Sequence, residues 1–65
     1  MSNREKVFRV MEKMGGKARF SDLARTVKDK YPTFGGKNAG HAVHQIVNKD
    51  SRYEKMQKGL YRLRP

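Results

Sequence analysis

The sequence predicts a small α+β domain with three helices, one short strand and a C-terminal β-hairpin. Three observations carry that expectation. Apolar residues recur at helical spacing in three separate stretches. Between the first and second stretches lies a short alternating run, KARF. The segment RYEKMQKGLYRLR then alternates on either side of a glycine-bearing turn, the signature of a hairpin. At 65 residues the chain makes one domain with one small core, spanning 1–65.

Ser2 and Glu5 have the spacing of a capping box, in which each side chain satisfies a free amide at a helix start. Val7, Val10, Met11 and Met14 follow as an apolar stripe, and Gly15-Gly16 ends this first helix because glycine reaches the left-handed conformation a C-cap wants. In Lys17-Ala18-Arg19-Phe20, a brief strand, Ala18 and Phe20 are expected to face inward. Ser21 is the expected cap of helix 2, with Asp22 favourably placed against the helix dipole. Leu23, Ala24, Val27 and Tyr31 form its buried stripe, and Pro32 stops it near Tyr31. Thr33-Phe34-Gly35-Gly36 is a turn whose one large apolar residue tucks between helices. Asn38 is the expected cap of helix 3, which runs to about Lys49. Gly40 weakens the first turn of that helix by ~1 kcal/mol relative to Ala, a cost that points either to a close approach to the backbone there or to a loosely formed first turn. Asp50-Ser51 breaks the helix. Strands at 52–56 and 60–64 flank a three-residue loop, Gln57-Lys58-Gly59, with Tyr61, Leu63, Tyr53 and Met56 directed at the core. The strand after helix 1 supplies the third strand of this small sheet.

Sixteen Lys and Arg against six Asp and Glu give a net charge of +10. Such a chain repels itself and attracts polyanions, nucleic acid foremost and an anionic membrane surface next. No Cys is present, which removes disulfides and Cys-based zinc sites and suits a reducing compartment. No apolar run approaches the roughly 20 residues that cross a bilayer, and MSNREK does not read as a signal peptide.

Helices 2 and 3 read as a helix-turn-helix and the hairpin as a wing. The chain resembles a winged helix-turn-helix domain. More narrowly, EKVFRVMEKMGGKARFSDLA and SRYEKMQKGLYRL resemble the small HARE-HTH domains of chromatin and transcription proteins. The resemblance implies duplex DNA as partner and helix 3 as the element that enters the major groove.

The residues themselves support that implication. On a helix over NAGHAVHQIVNK, Ala39, Ala42, Val43, Ile46 and Val47 share one side, and His41, His44, Gln45 and Asn48 share the other. An ordinary solvated face would carry Glu and Lys. Gln45 and Asn48 instead combine a donor with an acceptor, as bidentate pairing with adenine requires. His41 and His44 offer shorter contacts to guanine N7 or a phosphate, and Lys37 and Lys49 flank the face where a phosphate backbone would run. In the hairpin, Arg52, Lys55, Lys58, Arg62 and Arg64 face the single acid Glu54, and such a basic loop suits phosphates or the minor groove. Ser21 and the free amides at the start of helix 2 make a further phosphate seat, with Arg19 beside it. The expected DNA-binding set is therefore Lys37, Asn38, His41, His44, Gln45, Asn48, Lys49, Lys55, Lys58, Arg62, Arg19 and Ser21.

A transcriptional regulator or a nucleoid- or chromatin-associated protein is expected, cytoplasmic on the nucleoid or nuclear in a eukaryote. The competing readings are a protein-interaction module on the same fold and RNA binding, for which an exposed aromatic such as Phe34 would be the sign. His41 and His44 at i, i+3 lack the further ligands a structural zinc wants, so no metal or other cofactor is expected. The carboxylates are scattered and GGKN is too short for a P-loop, so neither catalysis nor a small-molecule substrate is expected. Protein partners and dimerisation stay open.

Overall fold

Ser2 accepts a hydrogen bond from the Glu5 backbone N–H at 3.2 Å and so opens α1, Asn3–Lys13. The computed structural model describes all residues, 1–65. Val7, Val10 and Met11 bury the inner stripe of α1. The helix ends as its glycines dictate. Gly15 and Gly16 have φ of 88° and 79°, and their N–H groups donate to Glu12 and Met11 carbonyls at 3.1 and 2.9 Å. That pair of bonds satisfies two carbonyls left open by the last turn.

The chain then enters β1, Lys17–Arg19, with Ala18 buried between two exposed cations. The strand is one residue shorter than expected, because α2 begins at Phe20 and runs to Lys30. Ser21 is therefore not its cap. Arg19 holds that position in extended conformation and makes no side-chain capping bond. The Phe20 N–H is engaged elsewhere, donating to the Gly59 carbonyl at 2.7 Å. Strand pairing with the hairpin thus fixes where α2 starts and replaces the local cap. Leu23 and Val27 are buried, with Ala24 and Tyr31 half-buried on the same stripe. Burying each large side chain of this kind contributes roughly 1.5–3 kcal/mol.

Phe34 fills the space between the helices and is buried. A short 3₁₀ turn, Gly36–Asn38, leads into α3, Ala39–Lys49. Asn38 stands at the cap position but its side chain makes no capping bond. The close backbone approach expected at Gly40 occurs instead at Gly35. A Cβ at Gly35 would lie 2.8 Å from Ala39 Cα, whereas one at Gly40 would meet nothing within 4 Å. The crowding comes from the first turn of α3 itself, where Ala39 and Ala42 face the turn that precedes the helix. Val43 and Val47 complete the buried face of α3.

The hairpin consists of β2, Tyr53–Gln57, and β3, Leu60–Leu63. With β1 it makes an antiparallel three-stranded sheet in the order β1-β3-β2. The turn is shorter than expected. Gln57 pairs with Leu60, leaving Lys58 and Gly59 as a two-residue loop, and the register shifts between Lys55 and Gln57. Met56 points outward, at 42% exposure, against the expectation that it faces the core, because it lies three residues from the inward-facing Tyr53 and strand alternation puts the two on opposite faces. Tyr53 and Tyr61 are buried as expected and Leu63 is half-buried.

Asp50, just past α3, ties the halves of the molecule together. It accepts from the Arg52 backbone N–H at 3.0 Å and from the Arg52 guanidinium at 2.7 and 3.1 Å. Arg4 of α1 stands 3.5 Å away. No helix is long and apolar enough to cross a membrane.

Candidate nucleic-acid interface

The amphipathic pattern of α3 leaves His41, His44, Gln45, Asn48 and Lys49 exposed along one side, together with Lys37 and Asn38 at its entrance. The helix carries no carboxylate. Its polar residues nevertheless differ in how free they are. His41 and Gln45 make no side-chain hydrogen bond within the protein. His44 packs edge to face on Phe20, with ring centroids 5.7 Å apart and planes at 88°. The Asn48 amide nitrogen lies 3.2 Å from His44 Nδ1 and 3.0 Å from Nε2. Tyr61 directs its hydroxyl at Asn48 Oδ1 from 3.5 Å, a long bond. The expected row of four equivalent side chains is thus two free residues and one coupled pair.

The same contacts join α3 to the rest of the basic surface. Phe20, beneath His44, also lines an open cleft of about 680 Å³ together with Lys17, Arg19, Ser21, Gln57, Lys58, Gly59 and Leu60. The structure therefore brings Arg19, Ser21 and Lys58 to one place although they come from β1, α2 and the hairpin turn. No acid lines that cleft. It forms because the Phe20-to-Gly59 hydrogen bond holds the hairpin turn against the start of α2. Lys17 belongs to the cleft too and was not among the expected residues. The outward alternation it shares with Arg19 on β1 is the signal that would have found it.

Ion pairing sorts the cations. Arg4, Arg9, Arg25, Arg52, Arg62 and Arg64 each have a carboxylate partner, and Arg19 is the one arginine that has none. The hairpin is accordingly less free than its composition implied. Arg62 pairs with Glu54 at 2.9 Å, half-buried rather than fully exposed, and Arg64 reaches Glu54 at 3.4 Å. Arg52 is held by Asp50 and lies over the Phe8 ring at 4.2 Å. Asp50 is held by these bonds down at a pKa of about 2 despite its burial. Lys37, Lys49, Lys55 and Lys58, all exposed, have no acidic partner. No cluster of three metal-ligating side chains occurs.

No protein-family model, curated protein or solved structure matches the chain. The geometry alone bears on function.

Proposed function

We propose that this protein is a duplex DNA-binding module of the winged helix-turn-helix type, serving as a transcriptional regulator or a nucleoid- or chromatin-associated protein. In this reading α2 and α3 are the helix-turn-helix, α3 lies in the major groove, and the β2–β3 hairpin is a wing on the phosphate backbone or in the minor groove. The observation that carries the reading is that Phe20 joins two groups of residues without carboxylates, the polar face of α3 and the cleft that holds Arg19, Lys17 and Lys58. Helix order and the β1-β3-β2 strand order are in keeping with it.

Gln45 and His41 are available to base edges, and Lys37 and Lys49 to the flanking phosphates. Single-strand recognition by stacking would want exposed aromatics; Phe34 is buried, and Phe20, half-buried at the cleft, already has its ring against His44 and Tyr61. A protein-binding surface would expose an apolar patch, and the large exposed apolar side chains are only Met1 and Met56. Both facts favour the duplex over the competing partners.

The test is a titration of duplex DNA, single-stranded DNA and RNA at several salt concentrations. Duplex binding is expected to be tightest, with log K falling against log salt at a slope of roughly −5 for five or six neutralised phosphates. Absence of duplex binding at low salt, or a clear preference for RNA, would overturn the reading.

A further inference from the structure

The two distances from the Asn48 amide nitrogen to the His44 ring, 3.2 and 3.0 Å, fix more than a contact. Nδ1 and Nε2 flank a single carbon, Cε1. An atom nearly equidistant from both nitrogens and lying in the ring plane would collide with Cε1 at such distances. The amide therefore lies over the face of the imidazole, as an N–H directed at an aromatic ring. The in-plane directions of both ring nitrogens stay open, and no other protein group bonds to them.

The ring is also held from Phe20 by the edge-to-face contact. Asn48 has the Tyr61 hydroxyl 3.5 Å from its Oδ1, a weak contact at that length, and Tyr61 stands against Phe20 with centroids 6.4 Å apart. Three elements, α2, α3 and β3, thus converge on one exposed imidazole. Gln45 and His41 have no such support and must lose side-chain freedom when they bind, whereas the contacts with Phe20 and Asn48 already restrict His44 in the folded protein.

The geometry points to His44 as the specificity-determining residue of the α3 face, donating from a pre-set ring to the N7 acceptor of a purine, with Asn48 as its positioning residue. The inference rests on the duplex-binding reading and adds a ligand chemistry to it. Both purines present N7 in the major groove. At the corresponding edge cytosine offers an amino donor, which an N–H repels, and thymine offers an acceptor, O4, displaced from the N7 position and flanked by a methyl group. Asn48, bound over the ring, reads no base in this arrangement.

Two measurements test this. In the free protein, NMR of the His44 side chain should show one dominant rotamer with ring protons shifted by Phe20. Asn48→Ala should average both signals while the circular dichroism spectrum is unchanged. In a selection from random duplexes, the wild type should enrich a purine at one position. His44→Ala should lower that preference by about fivefold to tenfold, the loss of one hydrogen bond, without changing the salt slope. Asn48→Ala should lose part of the preference at the same position. A rotationally averaged His44 in the wild type, or a purine preference that survives His44→Ala, overturns the inference. Failure of the parent reading looks different, because then no duplex binds at low salt and both fall together. An ordered ring on a protein that binds all duplexes alike overturns this inference alone.

Discussion

Asp50 is the one charged side chain that the fold buries, at 4% exposure. Burial by itself would favour its neutral form, but hydrogen bonds from Arg52 win and hold its pKa at about 2 against an ordinary 3.8. A carboxylate depressed on folding stabilises the native state above its unfolded pKa, and that stabilisation is lost as pH falls through the folded value. The difference amounts to about 2 kcal/mol. Asp50→Asn should therefore lose about 1 to 2 kcal/mol at pH 7, and its deficit against wild type should shrink from pH 4 down to pH 2. Urea unfolding at those pH values checks this, and a deficit independent of pH would assign the effect to packing. Tyr53 presents the opposite case. Its buried hydroxyl has no hydrogen-bond partner, and burial pushes its pKa up to about 12. A raised value makes its contribution intact below the unfolded pKa of 10.0 and lost as pH rises through about 12. Tyr53→Phe removes an unsatisfied group, so stability at pH 7 should stay level or rise by up to about 1 kcal/mol. Its alkaline unfolding should be shallower than that of wild type above pH 10. A loss at pH 7 would show that the hydroxyl is bonded.

The start of α3 depends on two glycines with opposite demands. Gly35 has φ of 66°, and a side chain there would press on Ala39. Gly35→Ala combines a left-handed backbone with a clash and should cost about 2 to 4 kcal/mol. Gly40 lies inside the helix with open space around its missing Cβ, so Gly40→Ala should stabilise by up to about 1 kcal/mol through helix propensity. In a domain of this size that is a rise in Tm of roughly 4–8 °C. Thermal unfolding of the two variants should therefore move in opposite directions. If both destabilise, α3 does not begin as described. The hairpin bulge acts at the same level of organisation. By inserting one residue it resets the strand face of everything beyond Met56, whereas Met56 itself points to solvent by plain alternation from Tyr53.

Charge acts on the molecule as a whole. A net +10 favours polyanion binding and opposes compaction. The opposition is felt locally, since hydrogen bonding and repulsion from Lys30 lower the Lys13 pKa. The longest dimension is 29 Å, less than one turn of B-DNA at about 34 Å. One domain therefore covers less than a full turn, which is enough for the five or six phosphates that the salt slope assumes. Because ion pairing leaves Arg19 and Lys58 free, Arg19→Ala with Lys58→Ala should weaken binding to all duplexes alike and flatten the salt slope by about 1 to 2 units. Stability should hardly change. Arg62→Ala, which breaks the Glu54 pair, should leave the slope nearly unaltered and cost at most about 1 kcal/mol of stability. An equal effect of Arg62→Ala on the slope would show that the pair opens on binding.

The three helices, the hairpin and the inward residues of both were legible because their signals are local. The Ser2 cap on the Glu5 N–H, the Gly15-Gly16 stop and the Val43–Val47 stripe lie within a turn or two of the residues they organise, although the Glu5 carboxylate turns to Arg9 instead of closing the capping box. α2 starts at Phe20 and not after a Ser21 cap because the bond that sets its start comes from Gly59, far along the chain. The exposed side of α3 was legible in the same way as its buried side. Which members of that side are free was not, since Phe20 and Tyr61 reach it only after the helices and sheet have packed. Composition likewise counted Arg19, Arg52, Arg62 and Arg64 as equals. Packing brings Asp50 and Glu54 to the last three and no acid to Arg19. Helical periodicity and capping act between near neighbours in the chain, whereas ion pairs and ring contacts act between neighbours in space.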